Sequence, residues 1–206
     1  MTSDKTESLQ DIIARFMNRP AVEQELRRIE EQAAFARRQR EEVLRRVNVP
    51  RKCIEALADL ERTKAIETVE QAKELLVVLA GGVGVGKSVA AAHWLATKLG
   101  DVTPGPHMGR RWYVFGTLPP FGPLFDEACR VRAAVLDDVG TEVHDESDRS
   151  RSMMDAIVNE RHSNGRSTCI TTNLDAARFR ERYGERVYDR LRGDGIWYAV
   201  AGKSRR

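Results

Sequence analysis

The chain has 206 residues, and its 34 Lys or Arg and 31 Asp or Glu give a formal net charge of only +3 at pH 7. This length suits one full domain with a small appendage, and the near balance of charge excludes a strongly basic coat protein for nucleic acid. A hydrophobic fraction of 41% suffices for a packed core, while a charged fraction of 32%, above the typical quarter, predicts a segment that lies outside it.

Residues 1–47 are predicted to form a helical arm, because Glu, Arg, Gln and Ala are frequent there and no Gly occurs. A first amphipathic helix should end near Asn18 and Pro20. Its apolar face comprises Leu9, Ile12, Ile13, Phe16 and Met17. A second helix carries a narrow apolar stripe, formed by Leu26, Ile29, Ala33, Ala36, Val43 and Val47. Such an arm either packs against its own domain or binds a partner, and the pattern leaves both open.

Residues 48–206 predict an α/β domain. Asn48, Val49 and Pro50 should end the arm, and residues 51–73 indicate a further helical layer. Short apolar runs then alternate with helical segments, which is typical of a parallel sheet flanked by helices. Five strands are predicted, at residues 75–80, 112–115, 133–136, 168–171 and 196–200.

A phosphate-binding loop follows the first predicted strand, where residues 81–88 read GGVGVGKS and match GxxxxGK[ST] between a strand and a helix. The glycines allow backbone N–H groups to turn toward phosphate oxygens, Lys87 can reach the β- and γ-phosphates, and Ser88 can ligate Mg²⁺. The sequence therefore predicts that ATP and Mg²⁺ bind here. The expected contacts are Gly81, Gly82, Val83, Gly84, Val85, Gly86, Lys87, Ser88 and Val89.

Polar residues end two later strands. Asp137 and Asp138 follow the third apolar run, and the carboxyl ends of parallel strands meet at one sheet edge, beside the phosphate loop. We expect Asp137 to hold Mg²⁺ and Asp138 to orient or deprotonate an attacking water. Asn173 ends the fourth run, where it either hydrogen-bonds a water or the γ-phosphate, or caps a helix that begins near Leu174.

Apolar runs such as residues 75–80 fall far short of the roughly 20 residues of a membrane span, and the N-terminus lacks the apolar core of a signal peptide. We therefore expect a cytoplasmic protein with no membrane partner. Cys53, Cys129 and Cys169 are widely separated and show no CxxC spacing, which favours reduced thiols over disulfides or a zinc site.

Five segments together carry a family resemblance: GGVGVGKS, AAVLDDVGTE, STCITTNL, YGERVYDRLRG and the terminal GKSRR. On these segments, residues 48–206 resemble the DnaC-type helicase loaders of the AAA+ ATPases, which are related to the IstB transposition helpers. The resemblance implies a P-loop NTPase fold of AAA+ type with a five-stranded parallel sheet and no C-terminal helical lid. It also implies that Asp137 and Asp138 are the Walker B pair and that Asn173 is the sensor 1 residue.

The same resemblance implies an oligomer that shares ATP sites between subunits. Arg190 matches the arginine finger offered to a neighbour's nucleotide, and Arg206, with Arg205 as second choice, matches a terminal arginine that senses nucleotide. Asp138 stands where many AAA+ ATPases have Glu, so we expect weak turnover used as a switch.

The function expected from the resemblance is an ATPase that loads a replicative hexameric helicase onto single-stranded DNA, for a phage, plasmid or cell replicon. The arm would bind the helicase, and the basic segment 176–206 would contact DNA. The alternative is a transposition helper that assembles on duplex DNA. A small-molecule P-loop kinase is disfavoured, because the ERVYDRLR helix and the TTN strand end do not suit it.

Overall fold

The computed structural model describes residues 20–58, 62–100, 103, 105, 108–142 and 148–201. The chain divides into two compact units, Met1–Arg40 and Glu41–Arg206. The second unit begins seven residues before the boundary expected at residue 48. Within the described ranges, no helix has both the length and the apolar composition that a membrane crossing demands.

Among the described residues the first helix is α1 (Pro20–Arg46), and it begins at a proline. Proline suits the first turn of a helix, because the N–H that it lacks would have no partner inside the helix. In the part of α1 that belongs to the first unit, Leu26, Ile29 and Phe35 are 46%, 53% and 62% exposed. The helix predicted before Pro20, with Leu9, Ile12, Ile13, Phe16 and Met17, lies outside the described residues.

The end of α1 and the residue that follows it, Val47, belong to the core of the second unit. Val43, Leu44 and Val47 are buried, and the Val47 carbonyl accepts hydrogen bonds from the backbone N–H groups of Arg111 (3.0 Å) and Trp112 (3.2 Å). The stripe predicted along this helix is therefore divided. Its last two members, Val43 and Val47, are buried in the second unit. This burial explains why the second unit starts before the helix ends.

One face of the sheet is covered by three helices: α2 (Arg51–Ala58), α3 (Lys64–Gln71) and α4 (Lys87–Leu99). The helical layer predicted for residues 51–73 is confirmed as α2 and α3. Asn48, with a left-handed φ of 69°, lies in the turn between α1 and α2. Ile54, Ile66 and Trp94 lie in the apolar cluster that α2, α3 and α4 form with the sheet.

The sheet has five parallel strands, as predicted: β1 (Leu76–Ala80), β2 (Trp112–Val114), β3 (Ala133–Val139), β4 (Ser167–Thr172) and β5 (Gly195–Ala199). Their order is β2-β3-β4-β1-β5, so β1 lies between β4 and β5 and all of its residues are buried. The largest difference from prediction is at β3, which continues for three residues past the expected end at Leu136, through both aspartates.

The other face packs against α5 (Pro123–Arg130), α6 (Arg149–Ser163), α7 (Ala176–Tyr183) and α8 (Glu185–Gly193). A short 3-10 turn, Phe115–Thr117, follows β2. Residues of β1 alternate between the two faces: Val77 and Leu79 join the first apolar cluster, whereas Leu76 and Val78 join the second. Burial on both faces explains why the strands read as continuous apolar runs in the sequence.

An arginine lies at the centre of the second face. Arg161 of α6 is completely buried, and its guanidinium donates four hydrogen bonds of 2.5–2.9 Å. The acceptors are the carbonyls of Ala128, Val131 and Ser167 and the hydroxyl of Thr168. One side chain thus ties the carboxyl end of α5 to the start of β4.

Candidate nucleotide-binding site

The phosphate loop connects β1 to α4, and glycine is required at two of its positions, at one by a close neighbour and at the other by the backbone conformation. A Cβ on Gly81 would lie 2.4 Å from the Val200 carbonyl oxygen, so only glycine allows this close approach. Gly86, the residue directly before α4, has a left-handed φ of 94°. The loop therefore presents the amino end of a 13-residue helix, whose unpaired N–H groups and dipole attract anions such as phosphate.

The Lys87 side chain lies within this loop. Its Nζ donates hydrogen bonds to the carbonyls of Gly81 (2.9 Å) and Gly82 (2.7 Å) and to Oδ1 of Asn173 (2.8 Å). Burial lowers the pKa of Lys87, while the charges of Asp138 and Asp137 oppose that shift. The ammonium is thus held by neutral oxygens beside two carboxylates, where a phosphate can replace the loop carbonyls as its partner.

Ser88 and Asp137 form the second part of the site. The Ser88 hydroxyl donates to Oδ1 of Asp137 at 3.0 Å, and Asp137 is only 5% exposed. Burial raises the pKa of Asp137, and the hydrogen bond from Thr171 partly offsets the rise. The two residues expected to bind Mg²⁺ therefore lie together at the carboxyl edge of the sheet.

Asp138 differs from Asp137 in exposure and in backbone conformation. It is exposed, and its φ of 56° is left-handed, which is uncommon for a residue other than glycine. Of the two aspartates, Asp138 does more to oppose the lowering of the Lys87 pKa. The two aspartates thus differ: the buried carboxylate of Asp137 accepts from Ser88, and the exposed carboxylate of Asp138 lies near the phosphate loop.

Asn173 contacts Lys87 and does not cap a helix. The next helix, α7, begins two residues later than expected, and its N-cap is Asp175, whose side chain accepts the Arg178 N–H at 2.8 Å. The capping interpretation of Asn173 is therefore wrong. Its contact with Lys87 places the end of β4 against the phosphate loop.

Arg190 lies on α8, and its contact is with another helix. Its Nη1 is 3.3 Å from Oδ1 of Asp155 on α6, and its side chain is 21% exposed. Arg186, 68% exposed, reaches the same carboxylate at 3.7 Å. The finger role of Arg190 remains a prediction, because it concerns a neighbouring subunit. Arg205 and Arg206 lie outside the described residues.

The structure adds Glu142 to the residues that shape the site. Its nearly buried carboxylate accepts hydrogen bonds from the Gly140 N–H (2.9 Å), from Nε of Arg182 (3.1 Å) and from the Tyr183 hydroxyl. The turn that follows the aspartates is thereby fixed to α7. The glutamate of the DDVGTE motif is visible in the sequence, but its partners Arg182 and Tyr183 lie 40 and 41 residues away, and no local pattern indicates them.

Thr171 is a second residue that the sequence analysis did not single out. Its hydroxyl donates to Oδ1 of Asp137 at 2.5 Å and accepts the backbone N–H of Asp138 at 3.0 Å. The available signal was the pair of threonines directly before Asn173, at the end of an otherwise apolar strand.

The donor set at this edge fits Mg²⁺ bound together with a nucleotide. Mg²⁺ in such sites usually takes one or two protein oxygens, several waters and phosphate oxygens, and Ser88 and Asp137 supply a hydroxyl and a carboxylate 3.0 Å apart. Across the ranges that the structure describes, no group of three or more His, Cys, Asp or Glu residues is arranged to hold a metal ion.

The sheet order, the phosphate loop after β1, the aspartates in β3 and the asparagine after β4 define a P-loop NTPase fold of AAA+ type, as predicted. The DnaC helicase loader has a similar structure, with a TM-score of 0.58 and 21% identity over 74% of this chain and 100% of that chain. DnaI is also similar, with a TM-score of 0.54 and 18% identity over 77% of this chain and 95% of that chain. The resemblance read from the motifs is thus confirmed at the level of the fold. No protein-family model and no curated protein sequence matches the chain.

Proposed function

We propose that this protein binds and hydrolyses ATP in order to load a replicative hexameric helicase onto single-stranded DNA. The observation that carries the proposal is the convergence of Lys87, Ser88, Asp137 and Asn173 at one edge of the sheet. This convergence occurs in a domain that has the fold of a helicase loader.

The side chains divide the work of nucleotide binding. Lys87 exchanges its bonds with the carbonyls of Gly81 and Gly82 for bonds with phosphate oxygens, and it remains beside Asn173. Ser88 and Asp137 would hold Mg²⁺, which when bound neutralises charge on the β- and γ-phosphate oxygens.

Hydrolysis requires a group that orients water, and we assign this role to Asp138. Its carboxylate is exposed beside the phosphate loop, whereas Asp137 is buried and occupied by Ser88. An aspartate reaches less far than a glutamate, so we propose slow turnover that serves as a switch between an ATP form and an ADP form.

The proposal includes a homo-oligomer in which Arg190 completes the ATP site of a neighbour. A guanidinium has five N–H donors, and the bond to Asp155 uses one amino group of Arg190. Arg190 can therefore keep its partner on α6 while it offers other donors to a phosphate. A finger of this kind stabilises charge that develops in the transition state.

We propose that the arm recognises the helicase through residues 1–40. The end of α1 is left out, because it is buried in the core of the second unit. Leu26 and Ile29, three residues apart on one face of this helix, are large apolar residues and are exposed. Apolar anchors at helical spacing are the means by which a helix binds in a groove of a partner protein.

Helicase capture and loading test the proposal with the full chain. We expect the wild-type protein to co-purify with a replicative helicase and to transfer it to circular single-stranded DNA in the presence of ATP. L26E together with I29E should abolish capture and spare ATP binding. Q24E together with Q32E adds the same two charges to exposed polar positions of the same helix and should preserve capture.

Two outcomes contradict the proposal. Capture that survives L26E with I29E moves the contact away from this surface. Failure to load the helicase, combined with ATP-dependent binding to duplex DNA that is tighter than binding to single strands, favours the transposition helper.

A further inference from the structure

The two Walker B residues share one neighbour on the adjacent strand. Thr171 of β4 is completely buried, and its hydroxyl lies between the side chain of Asp137 and the backbone of Asp138. It donates to the carboxylate at 2.5 Å and accepts the N–H at 3.0 Å. A single hydroxyl therefore uses both its donor and its acceptor capacity on this pair.

The reason for this arrangement lies in the register between β3 and β4. The strands pair regularly as far as Leu136 and Ile170, and pairing resumes at Val139 and Thr172. Asp137 and Asp138 thus face Thr171 alone, which is the two-against-one pattern of a β-bulge. A bulge interrupts the ladder of backbone hydrogen bonds, and here the Thr171 side chain supplies the bond for the Asp138 N–H.

The backbone of Asp138 needs such support. Its left-handed φ of 56° is unfavourable for a residue with a Cβ, and such conformations persist where surrounding contacts fix them. The contacts here are the Thr171 hydroxyl on the N–H and the Thr141 hydroxyl on the carbonyl, at 2.7 Å. The consequence is that consecutive carboxylates serve different roles, one buried on Ser88 and one exposed.

The side chain of Asp137 is fixed by the same hydroxyl. Oδ1 of Asp137 accepts from Thr171 on one side and from Ser88, at 3.0 Å, on the other. Two hydroxyls on one carboxylate oxygen set the direction of the whole group. A partner that orients a metal ligand in this way tunes how well the metal is held.

We propose that Thr171 is the positioning residue of the Walker B pair, directing Asp137 toward Ser88 and holding Asp138 in the conformation that exposes its carboxylate. This inference rests on the proposed ATPase function, and it concerns the way in which magnesium and water are placed.

The neighbouring threonine provides a matched control. Thr172 is also completely buried, and its hydroxyl donates to the Val139 carbonyl (2.7 Å) and accepts the Leu174 N–H (3.1 Å). It connects the same two strand ends, but its hydroxyl hydrogen-bonds to backbone groups and to neither aspartate side chain. Removal of either hydroxyl therefore perturbs the same part of the sheet. Only removal of the Thr171 hydroxyl takes a hydrogen bond away from the Walker B pair.

The experiment compares T171V, T172V and T171S in the full chain. We expect T171V to lower kcat by about 10- to 100-fold, the usual effect of removing a partner of a metal ligand, with a smaller change in KM for ATP. Nucleotide binding supplies a readout independent of turnover. The affinity of T171V for ATP should match wild type in EDTA and fall short of it in Mg²⁺. T171S keeps the hydroxyl and should restore both properties, and T172V should retain them.

The proposal is overturned if T171V keeps wild-type turnover and the wild-type response to Mg²⁺, or if T172V loses as much as T171V. Melting temperatures establish that the variants are folded. If T171V does not fold, T171C, whose thiol is a weaker donor, is measured in its place and must show a smaller loss in both properties. A wild-type chain without ATPase activity contradicts the proposed function, while the binding measurements still decide the role of Thr171.

Discussion

Replacing the buried arginine of α6 provides a sharp test of the packing described here. Arg161→Met keeps the length and apolar stem of the side chain but removes the guanidinium. The carbonyls of Ala128, Val131 and Ser167 then lose a charged donor at 2.5–2.9 Å. Burial lowers the pKa of Arg161 to about 10, so the group remains charged at pH 7 in the native protein.

The size of the effect follows from two opposing contributions. Each hydrogen bond from a charged group contributes about 1.5–3 kcal/mol, and four are lost. The cost of burying a charge, several kcal/mol, is recovered at the same time. We therefore expect a net loss of about 3 kcal/mol in the free energy of unfolding. In a protein of this size that loss corresponds to a melting temperature lower by about 6–12 °C.

Urea unfolding of the full chain measures this loss, and Arg166→Met is the matched control. Arg166 also bonds a carbonyl near the end of α5, that of Cys129 at 2.7 Å, but its side chain is 22% exposed. Water can replace that donor, so the control should lose about 1 kcal/mol or less. Arg161→Lys should fall between the two, because one ammonium cannot span four oxygens. An Arg161→Met variant as stable as the control would refute the reasoning.

Three further predictions concern the site and the thiols. Lys87→Ala should abolish tight ATP binding with little change in melting temperature, whereas Lys98→Ala, an exposed lysine on the same helix, should bind normally; equal affinities would contradict the phosphate-loop assignment. Arg190→Ala should preserve ATP affinity and lower turnover by about 10³-fold, and mixing it with Lys87→Ala subunits should restore part of the activity if sites are shared. Burial raises the pKa of Cys53 to about 12 and that of Cys129 to about 11, so native protein at pH 8 should resist alkylation that proceeds readily in urea; rapid labelling without urea would show that these thiols are accessible.

The strands and the phosphate loop could be predicted because their signals are local. A strand buried on both faces reads as an apolar run, and the loop has a fixed spacing between strand and helix. The sequence does not indicate the end of β3, since aspartates are unfavourable in strands, although Asp137 pairs with Val114 of β2 and a bulge opposite β4 carries the strand on to Val139. The bulge is stabilised by Thr171, which is 33 residues from Asp138, and a local pattern carries no information about such a contact.

The sequence also does not indicate which residues of α1 and α6 are buried. The stripe on α1 predicts an apolar face but not what covers it, so Val43 and Val47 were grouped with the arm although they pack in the domain. Arg161 stands in the polar stretch ERHSNGR, where nothing distinguishes a buried arginine from an exposed one. Both outcomes depend on tertiary packing, which overrides local preference.

The contact between Gly81 and the end of β5 bears on when the nucleotide site forms during synthesis. β5 is the last strand of the sheet in chain order, yet it pairs with β1, and the Val200 N–H donates to the Ala80 carbonyl at 2.6 Å. The first residue of the phosphate loop is thus supported by a segment that leaves the ribosome more than a hundred residues later. Contacts of such long sequence separation form slowly. We therefore expect the phosphate loop to reach its final conformation only once β5 has been made and docked, so that a chain ending before β5 should bind ATP more weakly than the full chain.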